Sequence, residues 1–199
     1  IDYSTDRVVD ITLMGTHGRT GVHRLILGSI AERTLRTSPI PVLTVHEGTE
    51  IIPEFESILV PTDGSQTATE AATHAIQIAA MIGSSLPIVH VINLIGLSGE
   101  YGSGRVLAEL RQAGQQAIGD SIKRATDADI QSVEASVLSG APSQAIVDYA
   151  ADRDVDLIVM GTHGRSGLDR FLIGSVTEKV VRLAEVPVLS VSSEKTHRE

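Results

Sequence analysis

The chain repeats itself. Val9-Asp10-Ile11-Thr12-Leu13-Met14-Gly15-Thr16-His17-Gly18-Arg19 returns as Val155-Asp156-Leu157-Ile158-Val159-Met160-Gly161-Thr162-His163-Gly164-Arg165. The match runs on without a gap, aligning Gly28-Ser29 with Gly174-Ser175 and Pro41-Val42-Leu43-Thr44-Val45 with Pro187-Val188-Leu189-Ser190-Val191. About half of the aligned positions are identical, and most of the others exchange one apolar residue for another. A repeat at one fixed offset means that one structural unit occurs twice. The copies differ in what precedes them: the second follows a long stretch of alternating strand and helix signals, the first only a few residues. The expected organisation is the C-terminal part of a first domain over residues 1–46, a polar linker over 47–54, a complete domain over 55–193 and a tail over 194–199. A chain that starts at Ile1 rather than Met fits a fragment, and the intact protein is expected to be a tandem of two such domains.

Within the complete unit, strand and helix signals alternate. Residues 57–60 are a short apolar strand ended by Pro61, and 68–82 an Ala-rich helix behind a Ser65/Thr67 cap region. Strands are expected at 87–92, 130–138, 155–160 and 187–191. Helices are expected at 106–125, 142–151 (with Pro142 in its first turn) and 174–183. Such alternation means parallel pairing through helical crossovers. Strands apolar on both faces need helices on both faces. The fold class is therefore α/β, an open, doubly wound, five-stranded parallel sheet of Rossmann-like type. The expected strand order is 3-2-1-4-5, with a C-terminal fragment of a second like domain. That order places a topological switch, where ligands sit, between the first and fourth strands. Two polar loops follow those strands, Pro61-Thr62-Asp63-Gly64-Ser65 and Gly161-Thr162-His163-Gly164-Arg165.

Composition narrows the partners. Three Tyr and two Phe are the whole aromatic set, so the core must be aliphatic. A net charge of −9 argues against nucleic acid or anionic lipid, which need clustered Lys and Arg. Any phosphate site must be local and built from backbone N–H groups. Without cysteine there is no disulfide, thiolate metal site or Cys nucleophile. No apolar run is long enough to span a bilayer, and the cytoplasm is the expected compartment.

The loop after the fourth strand reads Gly161, two residues, Gly164, nine residues, Gly174-Ser175. Glycines let backbone approach a ligand closely. Successive N–H groups make an anion-binding concavity, and a helix beginning at Gly174-Ser175 adds unpaired donors and a positive dipole end. There is no Gly-Lys-Ser/Thr of the Walker type and no Gly-x-Gly-x-x-Gly after the first strand.

With the Val-Pro-Thr-Asp-Gly-Ser strand end at 60–65 and the closing Pro-Val-Leu-Ser-Val at 187–191, this loop resembles the universal stress proteins. It is closest to their ATP-binding subgroup, marked by Gly-x2-Gly-x9-Gly-Ser/Thr. The resemblance covers about residues 55–193 and the fragment 1–46, and implies an adenine-nucleotide alpha hydrolase-like fold. It also implies roles. Pro61, Thr62 and Asp63 would line an adenosine pocket, and Val91 would meet adenine through its backbone. Met160 and Gly161 would contact the ribose side, while Gly164, Gly174, Ser175, Val176 and Thr177 would hold phosphates, with Arg165 either assisting them or facing solvent. The ligand would be ATP, ADP or AMP, with magnesium often accompanying the phosphates in this fold, although no carboxylate cluster is set aside for a metal.

Plainer readings stand beside these. Asp63 also suits a turn or a helix cap. His163 and His17 lack a carboxylate or nucleophile nearby in sequence and are expected to be solvent-facing loop residues. Hydrolysis needs a positioned base and charge stabilisation at the γ-phosphate, and no acid–base pair stands near the loop. A nucleotide-binding regulatory protein, acting through conformation or assembly, is therefore expected over a weak ATPase or another adenine-nucleotide-using enzyme, or a dimerisation module with an empty pocket. The first copy keeps Gly15-x2-Gly18-x9-Gly28-Ser29 but lacks the strands that would complete its pocket. The family resemblance further implies antiparallel pairing of the last strands, Val42–Val45 and Val188–Val191, as an intramolecular pseudo-dimer or a homodimer.

Overall fold

The computed structural model describes residues 9–17, 27–49, 54–94, 104–164 and 173–192. Arg165, most of the glycine-rich stretch at 96–104, part of the expected linker and the expected tail lie outside the described residues.

The first copy contributes β1 (Thr12–Gly15), α1 (Ser29–Thr37) and β2 (Val42–Val45). The second unit begins with β3 (Ile58–Pro61), α2 (Gln66–Ile82), β4 (Leu86–Asn93), α3 (Gly104–Asp127) and β5 (Val133–Gly140). It continues with α4 (Pro142–Asp152), β6 (Leu157–Gly161), α5 (Ser175–Leu183) and β7 (Val188–Val191). All described strands join one seven-stranded sheet in the order β1-β2-β7-β6-β3-β4-β5.

The sheet has seven strands rather than the expected five. β1 and β2 continue the parallel strands of the second unit through one antiparallel junction, the pairing of Val42–Val45 with Val188–Val191 that the family resemblance implied. There Leu43 stands opposite Leu189, Val42 opposite Ser190 and Thr44 opposite Val188. Leu43 and Leu189 are the same position of the repeat, so the junction is centred on equivalent residues. Thr44 Oγ1 donates to the Val188 carbonyl (3.1 Å), and Ser192 Oγ to the Ser38 carbonyl (2.9 Å). The remaining neighbours pair in parallel.

The helices divide between the two faces. Ala71, Ala72, Ala75 and Ala79 of α2 pack with Ile118 and Ala125 of α3 against Ile58, Val60, Ile88, Val159 and Leu189. On the other face, Ala31 and Leu35 of α1, Ile146 and Ala150 of α4, and Val180 and Val181 of α5 cover Val42, Leu59, Val89, Ile158 and Val188. Alanine at four sheet-facing positions lets α2 lie close on the strands. Ser65 caps it by accepting the Ala68 N–H (3.2 Å), and Gly83 ends it at φ 80°, a left-handed conformation that favours glycine. The third strand of the second unit starts at Val133 rather than 130, because the end of α3 winds into a turn. Asp129 has φ 58° there, and the Ile130 N–H still bonds to Ala125 (3.1 Å).

Candidate functional site

β3 and β6 lie side by side, Ile58 opposite Leu157. The chain leaves β3 toward α2 on one face and leaves β6 toward α5 on the other. Adjacent strands with helices on opposite faces leave a crevice beyond their carboxyl ends. A cleft of about 440 Å³ occupies it.

The turn after β3 supplies Pro61, Thr62 and Asp63 to the cleft. The Thr62 N–H donates to the Val89 carbonyl (2.8 Å), the Gly64 N–H to Thr62 Oγ1 (3.2 Å) and the Ser65 N–H to Asp63 Oδ1 (2.9 Å). Asp63 therefore serves the turn and faces the cleft at once, so its two sequence readings are compatible. β4 contributes Val91, and β6 contributes Met160 and Gly161. Gly164, Gly174, Ser175, Val176 and Thr177 close the opposite wall. All the expected site residues except Arg165, which is outside the described residues, thus line one cavity.

The start of α5 is open to a ligand. Gly174 is its N-cap, at φ −62° and ψ 139°, with no side-chain cap bond. The Gly174 N–H is already given to the Thr162 carbonyl (2.8 Å). The first-turn N–H groups of Ser175, Val176 and Thr177 have no partner within the helix. The Thr177 hydroxyl is engaged, donating to the Gly161 carbonyl (2.8 Å), so this residue can offer a ligand only its backbone N–H.

Each glycine of the motif has its own neighbour. A Cβ on Gly161 would lie 2.9 Å from the Thr67 carbonyl carbon and 3.0 Å from the Ala68 nitrogen, where α2 begins. One on Gly164 would lie 2.8 Å from Asp63 Oδ2, and one on Gly174 3.0 Å from the Thr162 oxygen.

His163 and His17 are not the solvent-facing residues expected. Both are half-buried, and in each the Nε2 atom is buried without a hydrogen-bond partner among the described residues. The preceding threonine holds the ring: Oγ1 lies 2.9 Å from Nδ1 in Thr162-His163 and 3.0 Å in Thr16-His17. Thr67 Oγ1 also donates to the His163 carbonyl, tying this loop to α2.

Six lining residues lie outside the expected site set: Ala68, Val89, Asn93, Pro142, Ile146 and His163. Four had a signal. Val89 and Asn93 are two residues either side of Val91 on a strand and must share its face, and Pro142 and Ile146 are four apart on one helix. Ala68, at the start of α2, completes the lining.

The first copy reproduces the local geometry. The Thr16 N–H bonds to Val45 (3.0 Å) and the Gly28 N–H to Thr16 (2.9 Å), as Thr162 does to Val191 (2.8 Å) and Gly174 to Thr162. Gly28 caps α1 at φ −62° and ψ 141°. Among the described residues, however, β1 is the edge of the sheet, so no strand flanks it to make a crevice. No group of three or more His, Asp or Glu among the described residues is placed to hold a metal ion, and no described helix is long and apolar enough to cross a membrane.

Comparison with known proteins bears on this architecture. A universal stress protein of Methanocaldococcus jannaschii is 39% identical over 145 residues, covering 71% of this chain and 84% of its own length. A universal stress protein of Mycobacterium tuberculosis is 31% identical over 192 residues, 90% of this chain. The chain spans only 61% of that relative's length. A universal stress protein solved in complex with cAMP aligns with a TM-score of 0.50 at 31% identity, over 70% of this chain and 98% of its own. The model of the universal stress protein family matches residues 1–46 and 54–192, both copies of the repeat, and the chain belongs to that family.

Proposed function

We propose that this protein binds an adenine nucleotide, ATP or its ADP and AMP relatives, in the cleft between β3 and β6. On this reading it acts through nucleotide-dependent conformation or assembly in the cytoplasmic stress response rather than through turnover. The observation that carries the reading is the two-sided character of one cavity. Val89, Val91, Ile146 and Met160 offer an apolar slot for a base, and the open first turn of α5 lies on the opposite wall. Pro61, Thr62, Asp63 and Val91 would hold the adenosine, Met160 and Gly161 the ribose side, and Gly164, Arg165, Gly174, Ser175, Val176 and Thr177 the phosphates, with or without magnesium. The relative solved with cAMP supports an adenine nucleotide as the ligand class.

The domain reading is part of the same proposal. Residues 55–193 would be a complete unit whose strands run 3-2-1-4-5, and 1–46 the end of a like unit, the two joined as an intramolecular pseudo-dimer. Side-chain exposure supports it. Leu13 and Ile11 of the first copy are 62% and 46% exposed, whereas their equivalents Val159 and Leu157 are 0% and 2% exposed under α2. Ile30, 76% exposed on α1, corresponds to the cleft residue Val176. Apolar surface left bare at these positions fits a unit that more chain would cover.

The test is calorimetry with ATP, ADP and AMP on the purified chain, with mass spectrometry of any small molecule released from it. One adenine nucleotide bound per chain with negligible turnover is the expected result. Saturating ligand should then raise the unfolding free energy, by about 2.7 kcal/mol at a hundredfold excess over the dissociation constant. No binding of any adenine nucleotide would overturn the proposal, and steady ATP consumption would replace it with the enzymatic reading.

A further inference from the structure

β3 leaves the sheet at Thr62, and a side chain on the far face marks the place. β3 and β4 pair in parallel, with Pro61 opposite Val89. The Thr62 N–H donates to the Val89 carbonyl (2.8 Å). Were the ladder to continue, the Thr62 carbonyl would next take the N–H of Val91. That carbonyl is instead held by His90, whose Nδ1 lies 2.8 Å away. A carbonyl oxygen only accepts, so the proton is on Nδ1.

The ring is fixed from behind. His90 is buried on β4 beneath α3, where a Cβ on Gly114 would come within 2.5 Å of its Cδ2 atom. Glycine at 114 is what lets the helix and the imidazole share this space. Val91 alternates with His90, so its side chain lines the cleft on the opposite face of the sheet. Its backbone N–H and C=O point the same way as those of Val89, toward β3 and past its last paired residue.

We propose that His90 is a positioning residue for the cleft. By holding the Thr62 carbonyl it turns the Thr62–Ser65 segment out of the ladder, and it leaves the Val91 N–H and C=O as an unclaimed donor–acceptor pair at the open edge of β4. The inference deepens the nucleotide reading and rests on it. The same bond places Asp63, one residue beyond Thr62, at the cleft.

The test uses His90→Leu, which deletes the donor, and His90→Asn, which keeps an N–H on the γ-branch where Nδ1 stands. Each is compared with wild type by calorimetry with ATP, by melting temperature and by amide hydrogen exchange at Val91 in the ligand-free protein. His90→Leu should bind about tenfold more weakly. Its Val91 amide should exchange more slowly, because the freed Thr62 carbonyl can now take it. His90→Asn should stay within about threefold of wild type. Gly114→Ala, which drives a methyl group into the ring from α3, should shift both readouts in the same direction as His90→Leu, and serves if that variant does not fold. An unchanged Val91 exchange rate in His90→Leu and Gly114→Ala would overturn the proposal. So would Asn failing to restore affinity at an equal melting temperature. Wild-type protein that binds no adenine nucleotide would overturn the nucleotide reading instead, while the Val91 exchange comparison would still decide the role of His90.

Discussion

Three glycines line the cleft, and a different neighbour would meet a side chain at each. At Gly161 the obstacle is the backbone of α2, which cannot move without repacking the helix. Gly161→Ala should therefore lower stability by about 1–3 kcal/mol in urea denaturation. At Gly164 the obstacle is the carboxylate of Asp63, the end of a side chain that can swing aside. Gly164→Ala should cost less than about 1 kcal/mol of stability and, on the proposed reading, weaken nucleotide binding measured by calorimetry, because the displaced Asp63 would no longer face the cleft. The spacing of these glycines was legible in the sequence, but their separate reasons were not, since each depends on a neighbour brought in by the fold. The histidines show the limit more sharply. A Thr-His pair repeated at both copies was visible, but the burial of both Nε2 atoms depends on how the loops fold back.

The elements were easier to read than their ends. Short apolar runs gave the strands, and Ala spacing gave α2. The boundaries that moved are those set by turn geometry, such as the left-handed Asp129 that delays β5. Alanine frequency in α2 has a packing meaning that yields a prediction. Ala75 is fully buried between helix and sheet, so Ala75→Leu should cost about 1–3 kcal/mol through overpacking, read from urea midpoints. Ser65→Ala should cost about 1 kcal/mol by removing the N-cap of α2. The Ser65 N–H that holds Asp63 Oδ1 is backbone and survives the change, so the Asp63 turn should persist. The antiparallel joining of β2 to β7 came to the sequence reading only through the family resemblance, because partner choice between edge strands leaves no local pattern.

At the scale of the whole molecule, equivalent residues report on completeness. Val159→Asp should unfold the chain, since it buries a charge under α2 with no partner. Leu13→Asp, the same change at the equivalent position, should shift stability by less than about 0.5 kcal/mol in this chain. In a longer polypeptide carrying the whole first unit, Leu13→Asp should become as damaging as Val159→Asp. Equal tolerance in both contexts, measured by thermal unfolding, would refute the tandem reading.

The junction centred on Leu43 and Leu189 reverses the direction of the chain. The carboxyl ends of β1 and β2 therefore face one end of the sheet, and those of β3 to β7 the other. The Thr16-His17 turn and the cleft beside Thr162-His163 look out on opposite sides of the molecule. Two bodies could thus approach these two turns at the same moment without colliding.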